Sequence, residues 1–379
     1  MSPGVTAVAL ACRINYIGIF YMAVDMDKRV AGYDLARALA VIGMVVVNFK
    51  IAMHAKVAGA PGWLRLFDVI DGRASATFVI LAGVGLSLLS ARGRASNDAA
   101  QIRADRVTLL KRAAFLFAAG LLYVQIWPAD ILHFYGAYLL IGAAALTWRS
   151  GALLAAAAAM VLGFALLASF HNYEQGWNWQ TLAYADFWRP AGFLRNLLFN
   201  GFHPVLPWAG FLLLGLALGR LDLRAPAVRA RVFGAGLLLA LAVEAAVWWG
   251  AGHAAPGAGV WAVAWSSQPM PPLPLYWLAA AGSACAGIAA CVAAGERWRD
   301  ARWLAPLVHT GQVALTLYVA HVVVGMGLLD AAGRLEDQSF AFAVGSALLF
   351  CLAAVLFAHL WRRRFRHGPL EWLMRRCAG

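Results

Sequence analysis

Histidine is the residue type in this sequence that best suits chemistry near neutral pH, because its imidazole gains and loses a proton there. An imidazole can act as a general base or carry an acyl group covalently. Each histidine taken alone also has a structural interpretation as a hydrogen-bonded residue, so both interpretations stay open. Six of the nine histidines lie at or near the same ends of long apolar runs: His54, His133, His171, His203, His253 and His321.

Other familiar catalytic patterns are missing from the sequence. It contains no His-x-x-x-His or His-Glu-x-x-His pair, and its five cysteines form no Cys-x-x-Cys pair, so zinc-ligand spacing is absent. It also contains no Walker loop, no nucleophilic serine elbow and no glycine-rich dinucleotide motif. The sequence therefore predicts no metal cofactor.

Three polar residues form a stripe along the first apolar run. At about 100° per residue, Asp34, Arg37 and Asn48 fall within about 60° of one another on a helix. One interpretation is an Asp34–Arg37 ion pair that anchors the inner end, with Asn48 bonded to another helix. The other is a stripe that faces a central cavity or contacts a cofactor, since ionisable groups inside a membrane are costly and often functional.

The second apolar run opens with acidic residues. Asp68, Asp71 and Ser75 stand at positions i, i+3 and i+7 and would share one helix face. They suit a solvated helix start, where the helix dipole favours carboxylates. They equally suit binding of a polar acceptor molecule.

The ninth apolar run carries two polar faces if it is one helix. Gln312 and Thr316 would lie on one face, and Tyr318 and His321 on another. A helix with two polar faces is expected to be surrounded by other helices rather than by lipid. The pattern therefore predicts a cavity wall.

These residues must be positioned by membrane-spanning helices. The chain is 63% hydrophobic and only 13% charged, which is typical of an integral membrane protein. Each apolar run is long enough to cross a bilayer core of about 30 Å. The sequence therefore predicts an all-α, polytopic bundle of about ten helices, over residues 33–53, 67–90, 109–126, 131–148, 151–170, 204–220, 231–251, 273–294, 307–329 and 339–361.

The basic residues set the predicted orientation of this bundle. Most of the 31 lysines and arginines fall in the loops on one side, so the positive-inside rule places both termini in the cytoplasm. The net charge of +13 then reflects topology and anionic lipid rather than nucleic acid. We predict a multi-pass protein of the cytoplasmic membrane, with an N-terminal extension over 1–28 and a single domain over 29–376.

Six sequence blocks occur in the order expected of the YeiB-type bacterial membrane proteins, and the chain resembles that family over residues 29–376. The first block also resembles the heparan-α-glucosaminide N-acetyltransferase catalytic domain and, more loosely, other transmembrane acyltransferases. The resemblance implies a bundle of ten or eleven helices that moves an acyl group from cytoplasmic acyl-CoA to an extracytoplasmic sugar or other acceptor. The blocks are YDLARALAVIGMVVVNF, GRASATFVILAGVGLSLL, DILHFYGAYLLIG, NGFHPVLPWAGFLLLGLALGR, GQVALTLYVAHVVVG and HGPLEWLMRR.

The resemblance implies His54 as the active residue. In the heparan enzyme the active histidine lies in the first non-cytoplasmic loop, shortly after the Val-Asn pair that ends the first span. His54 is the only histidine of the matching loop here. We expect His54 to deprotonate the acceptor or to carry the acyl group. Asp71, His203 and His321 would orient the acceptor or polarise the imidazole.

Acyl-CoA, with acetyl-CoA as the expected co-substrate, would meet the inner end of the bundle. Arg37, Arg106 and Arg112 would neutralise its phosphates, because guanidinium groups bind phosphate with two parallel hydrogen bonds. Asp34 and Asn48 belong to the same predicted cofactor-binding set. Topology alone also accounts for each of these arginines.

Two further functions stay open at the level of the sequence. The same polar stripes could line the path of a transporter or flippase for a small or lipid-linked solute. The protein could instead be an assembly partner in the membrane. The expected partners are the bilayer and an extracytoplasmic glycan or small molecule, a homodimer is left open, and no nucleic acid is expected.

Overall fold

A computed structural model describes residues 30–55, 71–253 and 264–379. The predicted Asp68 and the extension over 1–28 lie outside these residues. The described part confirms the all-α class. Its helices are α1 (Ala31–Ala52), α2 (Arg73–Leu89), α3 (Ala91–Ala95), α4 (Ala99–Tyr123), α5 (Leu132–Ala145), α6 (Ser150–Phe170), α7 (Pro190–Arg195), α8 (Val205–Leu218), α9 (Pro226–His253), α10 (Pro274–Arg297), α11 (Leu304–Gln312), α12 (Ala314–Ala320), α13 (Gly327–Ala331), α14 (Phe340–Arg364) and α15 (Pro369–Ala378).

Each of the ten predicted spans overlaps at least one of these helices. By length and composition, six helical segments of the described residues could cross a membrane, or seven if the bent pair 190–218 is one span. The six are α1, α6, α9, α10, α12 with the segment that follows it to Ala331, and α14. The count of ten and the orientation of the termini stay predictions. We therefore name the two ends of the bundle the predicted outer end and the predicted inner end.

Close helix crossings hold the bundle together. A Cβ atom at Gly83 of α2 would clash with the carbonyl oxygen of Leu212 in α8, and one at Gly215 of α8 would clash with the carbonyl oxygen of Ile80. Two backbones approach this closely only where small residues face each other, as is common between membrane helices. The crossing buries Trp208 and its neighbours at the centre of the core.

The ninth predicted span is not one helix, which corrects the two-faced helix expected from the sequence. α11 ends at Gln312, Val313 has φ −119° and ψ 30°, and α12 begins at Ala314. Gly311 packs against the backbone of Asp34 in α1, where a Cβ atom would clash. A π-helical segment, His321–Met326, then separates α12 from α13. Gln312 and Thr316 therefore belong to different helices.

Within the described part of the second predicted span, helix α2 begins only after Gly72. Gly72, with φ 71°, precedes α2, which starts at Arg73. Asp71 therefore lies before the helix instead of on its first exposed face. A glycine adopts this left-handed backbone without a steric penalty, and the chain turns there before it enters the helix.

The long segment between α6 and α8 folds around Asn200. It contains an antiparallel ribbon of β1 (Trp177–Asn178) and β2 (Ala183–Tyr184), then α7 and a π-helical turn, Asn196–Asn200. The Asn200 amide donates to the carbonyls of Tyr173 and Gln175, both at 2.8 Å, and accepts from the Tyr184 hydroxyl at 2.8 Å. Burial raises the pKa of the Tyr184 phenol, and a hydrogen bond from Arg195 opposes that shift. Asn200 thus fixes the segment that leads into α8.

Candidate functional site

A carboxylate and an imidazole meet at the predicted outer end of α5. Asp130 and His133 are 0% and 1% exposed, and the Asp130 Oδ2 lies 2.9 Å from the His133 Nδ1. The same oxygen accepts the His133 backbone N–H at 3.2 Å, so it also satisfies one of the free donors at the helix start. The remaining ring nitrogen, Nε2, is buried and has no hydrogen-bond partner among the described residues.

Tyr318 of α12 completes the contacts of Asp130. Its hydroxyl donates to the Asp130 Oδ1 at 3.3 Å and accepts the backbone N–H of Ile131 at 3.1 Å. The Tyr123 hydroxyl of α4 donates to the Tyr318 carbonyl at 3.4 Å. Residues of α4, α5 and α12 therefore share one buried polar cluster in which the carboxylate faces fixed donors.

His321 makes different contacts from His133. Its Nδ1 donates to the Tyr318 carbonyl, which leaves Nε2 as an acceptor, and this nitrogen lies 2.9 Å from the Asn48 amide nitrogen of α1. Asn48 and His321, both predicted site residues, are thus brought together over 273 positions of sequence. Because the Asn48 amide occupies the lone pair of His321, His133 is the better placed of the two imidazoles to accept a proton.

His203 lies beside the same cluster in an aromatic environment. Its ring contacts Trp208 edge-on at 4.5 Å between centroids, and Phe134 packs between the rings of His203 and His133. The Tyr138 hydroxyl donates to the His203 carbonyl at 2.5 Å. The His203 Nδ1 is buried without a partner in the described part of the chain. Two imidazoles, each with one unpaired nitrogen, therefore flank Phe134.

A cavity of about 660 Å³ opens at the predicted outer end. Its lining includes His54, Trp127, Pro128, Gln180, Val322 and Asp337. Pro128 and Val322, which lie within two residues of Asp130 and His321 along the chain, line the cavity, whereas Asp130, His133, Tyr318 and His321 themselves do not. His54 is 42% exposed and lies 3.6 Å from the Asp337 carboxylate. His203 does not line this cavity, so the structure does not bring His54 and His203 into one pocket.

Asp71, another predicted site residue, contacts a cation instead of the cluster. Its Oδ1 accepts a hydrogen bond from the Lys50 ammonium at 2.7 Å, and Lys50 is only 6% exposed. Lys50 also lies over the Phe340 ring, 5.3 Å from its centroid. The pair ties the outer end of α1 to the start of α2.

Four of the five predicted cofactor residues, Asp34, Arg37, Arg106 and Arg112, lie toward the predicted inner end and bond to several elements. The fifth, Asn48, contacts His321 instead. Arg37 donates to Asp34 at 2.6 Å, and the Gln312 amide bridges Asp34 to Arg362. The Asp34–Arg37 ion pair of the first interpretation is therefore present; whether it also contacts a cofactor stays a prediction.

Arg106 and Arg112 of α4 make separate contacts. Arg106 donates to the carbonyl of Ala143 at 3.1 Å, which is near the end of α5. Arg112 donates to the carbonyl of Gly379 at 3.3 Å. These two bonds attach α4 to α5 and to the tail, and a role toward phosphate stays a prediction for both.

The family comparison agrees with this bundle. A model of the heparan-alpha-glucosaminide N-acetyltransferase catalytic domain matches residues 29–247, more than half of the chain. The chain belongs to this family. A second model, described as a protein of unknown function (DUF418), matches residues 223–379. Both matches confirm the resemblance seen in the sequence blocks, and no curated protein matches the chain.

Membership and apolar helices together make this a multi-pass membrane protein of a transmembrane acetyltransferase-like family. The polar cluster draws on both matched stretches. Asn48, Asp130 and His133 come from the first, and Tyr318 and His321 come from the second. Within the described residues, no group of three or more His, Cys, Asp or Glu is placed to hold a metal ion.

His133 is one of the outer histidines of the sequence, but neither it nor Asp130 is among the residues predicted to form the site. The available signal was the Asp-x-x-His spacing inside the block DILHFYGAYLLIG. At a helix start this spacing lets one carboxylate contact both the backbone N–H and the ring of the histidine three residues later. Tyr318 carried no such local signal, since its partner Asp130 is 188 residues away.

Proposed function

We propose that the protein is a membrane-embedded acyltransferase in which His133, oriented by Asp130, is the general base. The observation that carries the proposal is the buried Asp130–His133 contact with an unpaired Nε2. A cavity at the predicted outer end is lined by Pro128 and Val322, which are close in sequence to Asp130 and His321. A carboxylate on Nδ1 fixes the tautomer of an imidazole and stabilises the cation that forms when Nε2 takes a proton. Family membership supports acyl transfer as the reaction.

The proposed reaction transfers an acyl group from the thioester of acyl-CoA to a hydroxyl or amine. The His133 Nε2 accepts the proton of the acceptor as its oxygen or nitrogen attacks the thioester carbonyl. The carbon–sulfur bond then breaks, the thiolate leaves, and the imidazolium returns the proton to give CoA-SH. General-base assistance of this kind contributes about 10²–10⁴ in rate.

The predicted roles of the other residues fit around this step. His54 is accessible at the cavity rim and is proposed to contact the acceptor in this direct transfer. In the two-step alternative the His54 imidazole attacks the thioester, the thiolate leaves, and the acceptor, deprotonated by His133, then attacks the acyl-imidazole and releases His54. His203 and His321 are proposed to fix the imidazole surroundings, and Asp71 to order the outer end through Lys50. We further propose that acetyl-CoA binds at the inner end through Asp34, Arg37, Arg106 and Arg112. Asn48, which contacts His321, is proposed to act at the polar cluster instead.

The acceptor is proposed to be an amino sugar or another polar molecule that enters from the predicted outer side. A cavity of about 660 Å³ is large enough for a molecule of that size, since ligand sites in proteins span about 300–1,000 Å³. Its rim offers carboxylates and an amide, which suit hydroxyl and amino groups.

The test uses purified full-length protein in liposomes with radiolabelled acetyl-CoA and a panel of amino sugars. We expect label on an acceptor with the unaltered chain and with His171→Ala, an exposed outer histidine, and loss of at least about 100-fold with His133→Ala. No transfer and no CoA-dependent thermal shift would overturn the enzyme proposal. Uptake of a solute without acylation would favour transport instead.

A second arm separates His133 from His54. Incubation with labelled acetyl-CoA in the absence of acceptor should label His54 if it carries the acyl group, and peptide mass spectrometry would locate the label. His133→Ala should leave that label in place but block its transfer to the acceptor. Label on His133 itself would reverse the two roles.

A further inference from the structure

The break in the ninth predicted span leaves helix donors that need a partner. α12 begins at Ala314, directly after the break at Val313, and the first backbone N–H groups of a helix have no acceptor within it. Inside a bilayer, water is not available to satisfy such groups, and each unsatisfied one costs several kcal/mol. A broken span therefore requires an acceptor from elsewhere in the protein.

Glu371 of the C-terminal helix supplies that acceptor. Its Oε1 accepts the backbone N–H groups of Leu315 at 2.7 Å and Thr316 at 3.1 Å. Its Oε2 accepts the Thr316 hydroxyl at 2.5 Å, and the Thr316 oxygen accepts the Leu370 N–H at 3.1 Å. One carboxylate thus caps α12 from 55 residues away, in the way a local side chain caps an ordinary helix.

The local sequence around Glu371 favours this contact. Gly368 precedes α15, and a Cβ atom there would clash with the Glu371 carboxylate. The Trp361 indole donates to the His367 carbonyl at 2.9 Å, which fixes the turn between α14 and α15. The block HGPLEWLMRR therefore contains the residue that caps α12.

The capped helix carries Tyr318 and continues directly into the π-helical segment that begins at His321. These two residues complete the polar cluster. Tyr318 and His321 follow Thr316 by two and five positions, which places them within one and a half turns of the cap. Their hydrogen bonds to Asp130 and Asn48 depend on the position of α12 along its axis. We propose that Glu371 is a positioning residue, which caps α12 and thereby places Tyr318 against Asp130 and His321 against Asn48.

The first test measures this structural consequence without using activity. Hydrogen exchange of full-length Glu371→Ala in detergent should show amides of 314–321 exchanging at least about tenfold faster, which corresponds to about 1.4 kcal/mol. Diethyl pyrocarbonate should modify His321, which is 0% exposed in the unaltered chain, in this variant. Arg376→Ala, on the exposed side of the same helix, is the matched control and should change neither readout.

Two milder variants cover the case in which Glu371→Ala does not fold. Glu371→Gln keeps the shape and one carbonyl acceptor but loses the charge, and Thr316→Val removes only the hydroxyl contacts. Each variant should raise the exchange rate over 314–321 less than Glu371→Ala does. The double variant, Glu371→Gln with Thr316→Val, should raise it by less than the sum of the two single effects, because both substitutions act on one contact. Faster exchange confined to 369–378, with 314–321 within about twofold of the unaltered chain, would overturn the proposal.

The effect of Glu371 on activity rests on the proposed function. Failure of the positioning role and failure of the proposed function give different results in the two assays. In the liposome assay, Glu371→Gln should lower kcat about tenfold with KM for the acceptor changed by less than about threefold, since Glu371 does not line the cavity. Faster exchange over 314–321 in a protein that transfers no acyl group would overturn the proposed function and leave the positioning role intact. Unchanged exchange with full transfer would overturn the positioning role alone.

Discussion

Gly120 of α4 packs directly against the backbone nitrogen of His133, so closely that a Cβ atom at Gly120 would clash with it. Gly120→Ala must therefore push α4 away from α5 or shift His133 away from Asp130. We expect the free energy of unfolding to fall by about 1–3 kcal/mol, as is usual for overpacking, together with a loss of acyl transfer. Thermal unfolding in detergent and the liposome assay measure the two effects.

Gly163→Ala is the matched control for this change. Gly163 lies in α6, and a Cβ atom there would meet nothing within 4 Å. Alanine also has a higher helix propensity than glycine, so this variant should be as stable as the unaltered chain or slightly more stable. Equal stability and equal transfer in both glycine variants would show that the α4–α5 contact does not position His133.

Asp130→Asn tests the carboxylate with almost no change in shape. The amide can still accept the Nδ1–H of His133, but it cannot stabilise the imidazolium that forms during proton transfer. We expect kcat to fall by at least about 100-fold, while KM for acetyl-CoA stays within about threefold. Steady-state kinetics with the labelled donor measure both constants.

Asp186, a second carboxylate at the predicted outer end, provides the control for Asp130→Asn. Asp186 accepts a hydrogen bond from Arg195 at 2.6 Å in the segment before α8. Asp186→Asn should keep kcat within about threefold. A similar kcat in the Asp130→Asn and Asp186→Asn proteins would remove the Asp130–His133 contact from the reaction.

Much of the fold could be predicted from local sequence, because hydropathy and helix length are local properties. Each predicted span overlaps a helix, and the Asp34–Arg37 pair follows from a spacing of three residues. The break at Val313 could not be predicted, since Gly311 and the Glu371 cap act there through long-range packing. The partners that each histidine contacts depend on the rotation of its helix about the helix axis. Apolar runs without a strong polar face do not define that rotation.

Because Asn48 and His321 contact each other, we expect their substitutions to have non-additive effects on the free energy of unfolding. Asn48→Leu leaves the buried Nε2 of His321 facing an apolar group, and an unsatisfied buried acceptor costs about 1–3 kcal/mol. Removing both partners by Asn48→Leu with His321→Leu deletes that unsatisfied group. The double variant should therefore be more stable than the sum of the single variants predicts, by about 1 kcal/mol or more. Chemical unfolding of the four proteins gives the coupling energy, and strict additivity would show that the two side chains do not interact.

At position 54, the chemical role of the imidazole can be tested separately from the effect of the backbone conformation. Its φ of 48° lies in the left-handed region, which costs a non-glycine residue about 1–2 kcal/mol. His54→Gly removes the imidazole and relieves that strain, so the unfolding temperature should stay equal or rise while acyl transfer is lost. Asn97→Gly makes the same backbone change at φ 50° in the loop between α3 and α4, and it should leave transfer unchanged. Full turnover by the His54→Gly protein would exclude His54 as the acyl carrier and leave His133 as the group that performs the proton transfer.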